Sequence, residues 1–552
     1  MARAFPTIAF AGILLAAASL APAQRFLPDD PVARDHDDLH VPLPGEIELS
    51  GGYDVIENTF LRSRPDPKTI PPARNVNTLG EVPDSSWWTN RIGVLPMSLE
   101  ELVRGPNTGE GPDVEGVWTV IGGKSAGISP GFRIRDSRGD EYFIKVDPSR
   151  YVGLATGADV VGSKFFHAFG YFVPENWIVY LDRNQIRIGE GARIRVLGSK
   201  PRAMVQADLD EILDGAARLP DGRIRFVASK AVPGRVVGPH KYHGTRPDDP
   251  NDVIPHEDRR ELRGYRVFCS WLNHDDSRSL NSLNSYVTEG GRGYLRHYLQ
   301  DFSSILGSGG DWRRTIAPQN PRAGNEYIVE AAPMLKTVAT LGIWQRPWHR
   351  VRYQVYPQVG AIEADFFDPG AWKPEFPNAA FERMLPEDAF WAARIVSKFD
   401  DAAIRRIVAE GDYRAPEAEN HLVRMIIRRR DKVLARYFRL LSPLADFRPD
   451  DSPAGAVLAF TNYGEDAGLG RVEAYEYQWF RFDNRTQATE PLSRPERAAG
   501  RALPLPADRP EYLMVRIRSL GAGAGNQAWA RRVDVFLRTS GGLSVVGVDR
   551  ES

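Results

Sequence analysis

The sequence predicts an α+β protein built from more than one structural unit. Short runs rich in β-branched and aromatic residues, joined by glycine-containing turns, recur between residues 117 and 300. Apolar residues at helical spacing dominate residues 387–440, and strand-like alternation returns beyond Pro453. The chain has 552 residues, which is more than one hydrophobic core usually supports. We therefore expect a mixed central part and an all-β part at the C-terminal end.

The first residues have the features of a secretory signal peptide. Arg3 gives a small positive start, residues 8–20 form an apolar run, and Ala21-Pro22-Ala23 offers small residues where a signal peptidase cuts. The run is shorter than the ~20 apolar residues that span a bilayer comfortably. We expect residues 1–23 to be a signal peptide that leaves no transmembrane anchor after cleavage. The mature protein is then expected to be exported, either to the periplasm or into the medium.

Charge and cysteine content exclude several classes of function. Lys and Arg total 71 and Asp and Glu total 72, so the net charge is -1 and no strong overall field attracts nucleic acid or an anionic membrane. Cys269 is the only cysteine, which excludes an intramolecular disulfide and a zinc site made of several cysteines. No nucleic-acid partner is expected, and Cys269, within an apolar stretch, is expected to be a buried, inert thiol.

Residues 24–115 and 116–240 differ in composition. The first range is rich in Pro, Gly, Asp and Asn, which predicts a loop-rich N-terminal arm. The second range begins with three predicted strands that are separated by a glycine-rich loop and a tight turn, and it continues with a helix and two further strands. The predicted strands are 117–121, 132–135, 141–146, 177–181 and 225–228, and the predicted helix is 157–169.

Residues 241–450 are predicted to be mainly helical. Leu262, Tyr265, Cys269 and Leu272 recur at helical spacing within a predicted helix that ends before Asn273. A β-hairpin of residues 284–288 and 294–299 follows, and the predicted helices 387–410 and 416–440 come later. Beyond residue 450, alternating apolar residues predict a β-sandwich-like domain over residues 451–552.

Three short motifs stand in an informative order. The pattern H-x-D-x-x-x-x-N is matched by His274-Asp275-Asp276-Ser277-Arg278-Ser279-Leu280-Asn281. The predicted hairpin is followed by Asp301-Phe302-Ser303. Upstream, a glycine-rich loop leads to the predicted strand that carries Lys145. In this order and spacing the chain resembles the protein-kinase-like superfamily, in a divergent exported bacterial branch that is similar to HipA-like and CotH-type kinases. The resemblance implies a two-lobed fold, with residues 116–240 as the N-lobe and residues 241–450 as the helical C-lobe.

The resemblance also implies a role for each residue. Asp276 would be the catalytic base, and Asp275 takes that role if the loop is shifted by one residue. Asn281 and Asp301 would bind Mg²⁺, and Lys145 would bind the phosphates of ATP or another nucleotide. Asp159, on the predicted helix, is the best candidate for the acidic partner of Lys145. Gly127 and Gly131, in the glycine-rich loop, would lie over the nucleotide, and the acceptor is an unknown protein, glycan or small molecule.

The motifs depart from the kinase pattern in ways that leave other functions open. Ser303 replaces the last glycine of D-F-G, the glycine-rich loop lacks regular spacing, and Asp159 stands where a Glu is expected. A P-loop is excluded, because Trp118 occupies the position of its first glycine. The predicted export sends the chain to a place poor in ATP. The alternatives are a nucleotidyl transferase, an inactive kinase-like binding or scaffold protein of the envelope, and a hydrolase that uses Asp275 and Asp276.

Overall fold

The computed structural model describes residues 24–32, 37–123, 130–195, 200–309, 319–353, 356–452 and 455–551. It is a mixed α+β structure with several β-sheets, as the sequence predicted. The predicted signal peptide, residues 1–23, and Gly127 of the glycine-rich loop lie outside the described residues. Within the described ranges, no helix is long and apolar enough to cross a membrane.

Residues 24–117 are mostly irregular and contain two short helices. Helix α1 (Gly51–Ile56) continues as a π-helical turn over Glu57–Leu61, and α2 (Leu99–Arg104) follows later. A capping box begins α2: the Ser98 hydroxyl accepts a hydrogen bond from the Glu101 N–H, and the Glu101 carboxylate accepts one from the Ser98 N–H. These bonds satisfy two N–H groups that the start of a helix otherwise leaves unpaired.

A seven-stranded sheet that packs against two helices forms the next part of the chain. Its strands are β1 (Trp118–Gly123), β2 (Gly131–Arg135), β3 (Glu141–Val146), β4 (Asn176–Leu181), β5 (Ile186–Ile194), β6 (Arg202–Ala203) and β7 (Ile224–Lys230). Their order in the sheet is β4-β7-β3-β2-β1-β5-β6. Helix α3 (Leu154–Phe169) connects β3 to β4, and α4 (Gln206–Asp214) lies between β6 and β7.

Strand alternation explains the position of Lys145. Tyr142, Ile144 and Val146 of β3 are buried in a core that includes Trp118 and Phe226. Because side chains alternate between the two faces of a strand, Lys145 lies on the opposite face, towards α3. The elements β5, β6 and α4 were not predicted from the sequence, since glycines and charged residues interrupt the apolar alternation there.

A helical part with one hairpin follows the sheet. Its strands are β8 (Arg235–Val236), β9 (Ser282–Glu289) and β10 (Arg292–Leu299), and its helices are α5 (Arg260–Leu272), α6 (Ala331–Ala339), α7 (Ala379–Glu382), α8 (Pro386–Val396), α9 (Asp401–Ala409) and α10 (Pro416–Tyr437). The prediction of one helix over 387–410 was wrong. The chain breaks between α8 and α9 because the Asp400 carboxylate accepts a hydrogen bond from the Ala403 N–H and caps a new helix.

The C-terminal part consists of two sheets that share a core. Its strands are β11 (Leu444–Ser452), β12 (Gly455–Asn462), β13 (Ala474–Phe482), β14 (Thr489–Pro491), β15 (Glu496–Ala498), β16 (Ala502–Pro504), β17 (Tyr512–Leu520), β18 (Val533–Arg538) and β19 (Ser544–Arg550), with α11 (Tyr463–Asp466) after β12. One sheet has the order β11-β12-β16, and the other has the order β14-β13-β17-β18-β19 with β15 paired to β13.

Strand β11 begins at Leu444, before the predicted boundary at residue 451. Phe26 of the arm packs against this part, beside Phe482 and Phe536.

Candidate functional site

Lys145 lies at the centre of the candidate site, between two carboxylates. Its Nζ atom is 2.7 Å from Oδ2 of Asp159 on α3 and 2.7 Å from Oδ1 of Asp301, which follows β10. Lys145 is 7% exposed and Asp159 is 1% exposed, so water screens these charges weakly. The structure thus brings Lys145 into contact with Asp159, 14 residues further along the chain, and with Asp301, 156 residues further along.

The turn that carries Asp301 is held in a defined conformation. Asp301 has φ 61° and ψ 67°, a left-handed backbone conformation that Asp tolerates better than most residues. The Ser303 hydroxyl donates to Oδ1 of Asp301 at 2.5 Å, and the Phe302 N–H donates to Oδ1 of Asp159 at 3.0 Å. The turn and α3 are therefore joined both through Lys145 and through a direct hydrogen bond.

The charges of this cluster do not cancel. Burial opposes the charge on Lys145, but the carboxylates of Asp159 and Asp301 outweigh that effect and raise the pKa of Lys145 above its ordinary value. Lys145 is therefore a permanent cation that faces two carboxylates. Burial raises the pKa of Asp159, and Asp301 raises it further, while Lys145 opposes them. When both carboxylates are ionised, the cluster has one positive and two negative charges, which favours the binding of a cation.

Two residues that the sequence analysis missed fix the helix that carries Asp159. The buried Asp147 carboxylate accepts hydrogen bonds from N–H groups at the start of α3, including that of Thr156 at 2.9 Å. The buried Arg225 donates to the Thr156 hydroxyl at 2.7 Å and to the carbonyl of Gly411 at 2.6 Å. These contacts attach the N-terminal end of α3 to the helical part of the chain. The position of Asp159 is therefore fixed by these contacts at the start of α3 and by its own hydrogen bond from the Phe302 N–H.

The loop between α5 and β9 begins with a structural histidine. Asn273 ends α5 in a left-handed conformation, with φ 55° and ψ 49°. His274 is fully buried, and neither of its ring nitrogens has a hydrogen-bond partner among the described residues. Burial lowers its pKa to about 3, so the ring is neutral. Its neighbours are the aromatic rings of Phe166, Tyr265 and Phe302. His274 thus supports the loop by packing.

Asp276, Asn281 and Asp301 belong to one connected set of contacts. The Asn281 Nδ2 atom donates to the carbonyl oxygen of Asp276 at 2.7 Å, and the Gln300 N–H, next to Asp301, donates to the carbonyl of Asn281 at 2.9 Å. Arg278 Nε lies 2.7 Å from Oδ1 of Asp276. Burial raises the pKa of Asp276, Glu375 and Asp301 raise it further, and Arg278 opposes them.

Asp275 faces a different environment from Asp276. Its carbonyl oxygen accepts a hydrogen bond from the Glu375 N–H at 2.8 Å, and its Oδ2 atom has a long contact of 3.5 Å with Nδ2 of Asn320. Burial raises the pKa of Asp275 to about 7, and the neighbouring Asp276 adds to the effect. Asp301 contributes to the electrostatic environment of Asp276, whose Oδ2 atom also has a long contact of 3.5 Å with the Ser304 hydroxyl. Of the two aspartates, Asp276 is the one beside Asp301.

We expect the substitution Asp275→Asn to stabilise the protein at high pH. The folded state raises the pKa of Asp275 from 3.8 to about 7, so its contribution to stability is present in full below pH 3.8 and is lost as the pH rises through about 7. Asparagine does not ionise, so the variant avoids the free-energy cost of burying an ionised carboxylate. We expect this change to increase the free energy of unfolding by about 1–3 kcal/mol at pH 8. Thermal unfolding of both proteins at pH 8 and pH 4.5 measures the effect. A difference that does not shrink at pH 4.5 contradicts it.

Of the two glycines predicted to lie over the nucleotide, the structure describes Gly131 but not Gly127. Gly131 is the buried first residue of β2 and pairs with Lys145 in the antiparallel register. This pairing places the backbone of β2 next to the central lysine. Gly127 belongs to the range 124–129, which lies outside the described residues.

Sequence reasoning missed Glu375, which is part of the electrostatic environment of the loop. Burial raises its pKa, Asp275 adds to the effect, and Arg278 opposes it. Glu375 lies far along the chain, after α6, and only the fold brings it to the loop. Arg278 lies inside the motif, but its position is one of those that the motif leaves unspecified.

Asp301 and Asn281 are the two residues of the site that could hold a magnesium ion together with phosphate. Asp301 offers a carboxylate and Asn281 an amide oxygen, and Mg²⁺ usually takes one or two protein oxygens together with phosphate and water. The hydrogen bond from Nδ2 of Asn281 orients this amide. In the described part of the chain, no three His, Cys, Asp or Glu side chains are grouped so that they could hold a metal ion by themselves.

Comparisons with protein-family models, with curated proteins and with solved structures found no match to the chain.

Proposed function

We propose that the chain is an exported, kinase-like phosphotransferase that uses ATP or another nucleotide together with Mg²⁺. The cluster of Lys145, Asp159 and Asp301 is the observation that supports this proposal most directly. Protein kinases need a lysine on the third strand that pairs with an acidic residue on the next helix, and an aspartate after a hairpin that binds Mg²⁺. In this proposal the sheet with α3 is the N-lobe, and α5 to α10 form the C-lobe. The acceptor is a protein, a glycan or a small molecule.

The site residues have distinct roles in this proposal. Asn281 and Asp301 hold Mg²⁺, and Lys145 binds the α- and β-phosphates. The nucleotide would supply the γ-phosphoryl group, and Mg²⁺, when bound, would neutralise part of the phosphate charge. Asp276 orients the acceptor hydroxyl and takes its proton while the acceptor oxygen bonds to the γ-phosphorus. The bond between that phosphorus and the β,γ-bridging oxygen breaks, and the nucleoside diphosphate leaves. Asp159 replaces the usual glutamate, and its shorter side chain still reaches Lys145 at 2.7 Å.

A binding or scaffold function without catalysis is the second candidate. Two observations favour it: Asp301 already pairs with Lys145, and Asp276 already pairs with Arg278. A catalytic site must exchange both contacts for contacts with nucleotide and acceptor. The proposed export to a compartment poor in ATP also favours a binding or scaffold function.

Nucleotide-dependent thermal stabilisation tests the phosphotransferase proposal. We expect ATP with Mg²⁺ to raise the melting temperature, because a ligand at 100 times its Kd adds about 2.7 kcal/mol to the free energy of unfolding. The substitution Asp301→Asn keeps a residue that tolerates the left-handed conformation but removes the carboxylate, and we expect it to abolish the shift. Asp365→Asn, at an exposed carboxylate paired with Arg428, is the control that should keep it. No shift with any nucleotide or divalent metal contradicts the proposal and favours the scaffold.

A further inference from the structure

Residues 328–352, which we name the α6 segment, carry an unusually exposed apolar surface. No residue of α6 is buried, although most surface helices bury an apolar stripe. Leu335 is 69% exposed, Val338 72%, Leu341 91% and Ile343 85%. A group of large apolar side chains exposed together marks a surface that binds something, whereas single exposed residues are normal.

The most exposed residues lie at a turn that follows α6. Leu341 and Gly342 have φ values of 49° and 82°, and the Gly342 N–H donates to the Thr337 carbonyl, so the helix ends in a left-handed turn there. Behind this turn, Trp344 and Trp348 are half-buried, and Lys336 Nζ lies 4.5 Å from the ring centroid of Trp344. Tryptophan is suited to a boundary between apolar and aqueous phases because its ring is apolar and its N–H is polar.

All the ionisable side chains of the α6 helix and of the turn after it are basic. Residues 331–362 contain no Asp or Glu but include Lys336, Arg346, His349, Arg350 and Arg352. The acidic residues just before this stretch are already paired: Glu326 with Arg346, and Glu330 with Lys373 at 2.6 Å. Arg346 is thus neutralised by Glu326, whereas Arg350 and Arg352 are exposed and lie in a range without acidic residues.

We propose that the α6 segment docks the protein on an anionic lipid surface, without crossing it. Leu341 and Ile343 would enter the boundary of the acyl chains, Trp344 would lie at the level of the headgroups, and Arg350 and Arg352 would contact lipid phosphates. A second copy of the chain is a poorer occupant, because a symmetric contact places the same positive residues against each other. A membrane supplies both the apolar phase and the negative charge.

Docking through this surface would also orient the candidate site. The Ile328 N–H donates to the Glu375 carbonyl at 2.7 Å, and the Glu375 N–H donates to the Asp275 carbonyl at 2.8 Å. The α6 segment is thus joined to the loop of Asp275 and Asp276 through one intervening segment. The docking proposal does not depend on phosphotransfer, because vesicle binding can be measured without turnover.

Vesicle sedimentation tests the proposal. The chain from Gln24 onward is used, since it holds every described element and lacks the apolar run 8–20, which would bind vesicles by itself. We expect binding to vesicles that contain phosphatidylglycerol, little binding to pure phosphatidylcholine, and weaker binding at high salt. Leu341→Glu combined with Ile343→Glu should reduce the partition coefficient at least ~10-fold. Arg350→Gln combined with Arg352→Gln should reduce it about 10- to 30-fold.

A matched control separates docking through the α6 segment from non-specific binding by exposed apolar side chains. Leu43→Glu combined with Leu95→Glu changes two apolar residues that are 50% and 65% exposed elsewhere, and it should leave vesicle binding unchanged. Circular dichroism and thermal unfolding check that all variants are folded. Absent binding to anionic vesicles, or binding that the Leu341 and Ile343 changes leave intact, overturns the proposal. So does a shift of these variants from dimer to monomer in sedimentation equilibrium, which identifies a second copy as the occupant.

Discussion

The substitution Asp276→Asn is expected to lower the rate of phosphotransfer about 10²- to 10⁴-fold, the usual contribution of a general base. The amide has nearly the same shape as the carboxylate but cannot take the proton of the acceptor. Because the acceptor is unidentified, we propose to measure ATP turnover with water as the acceptor. Nucleotide binding, followed by the thermal shift with ATP and Mg²⁺, should persist in the variant. Loss of both turnover and the shift means that Asp276 supports binding or folding.

The neighbouring aspartate provides a matched control. Asp275→Asn makes the same chemical change one residue away, at a carboxylate that contacts Asn320. We expect it to change the turnover only a few-fold, since Asp275 is not the aspartate beside Asp301. If Asp275→Asn abolishes turnover and Asp276→Asn does not, the assignment of the base is reversed.

The pH dependence of turnover follows from the environment of Asp276. Burial and the nearby Glu375 raise its pKa, so the carboxylate is protonated at a pH where an exposed aspartate is already ionised. A general base works only in its ionised form, and the rate should therefore fall as the pH decreases through this raised pKa. The acid limb of the profile should be missing in the residual activity of Asp276→Asn.

Local patterns in the sequence were enough to select residues that the structure places in contact. The alternation in β3 placed Lys145 opposite the core, and the motif spacing selected Asp276, Asn281 and Asp301, which the structure connects. Asp159 was chosen only by its distance along the chain from Lys145, and its carboxylate does contact that lysine. These predictions needed only short segments whose backbone geometry follows from residue type.

What the sequence could not predict depends on long-range packing. Glu375 reaches the loop of Asp275 only because the chain between them folds back, and Arg225 joins α3 to Gly411 across a long sequence separation. A conserved spacing could not have identified either contact, since no short motif includes both partners. The net charge of the whole chain also gave no sign of local charge. It is close to zero although residues 331–362 contain basic residues and no Asp or Glu.

The substitution Lys145→Met is expected to destabilise the protein by about 3–5 kcal/mol, the cost of removing one partner from a buried ion pair. Methionine fills a similar volume but leaves the Asp159 carboxylate, which is 1% exposed, without its cation. The side chain of Asp301 is 26% exposed and can be hydrated more easily, so Asp159 carries most of the cost. Thermal or urea unfolding of the unliganded protein at pH 7 measures the effect.

A second substitution identifies the buried charge as the cause. Adding Asp159→Asn to Lys145→Met removes the unpaired carboxylate and should restore most of the lost stability, although both halves of the pair are then absent. Lys373→Met is the control, because Lys373 pairs with Glu330 at a partly exposed position and should cost less than about 1 kcal/mol. If the double variant is no more stable than Lys145→Met, the loss comes from packing. If it recovers, the loss comes from the unpaired carboxylate, and the fold itself does not need these charges.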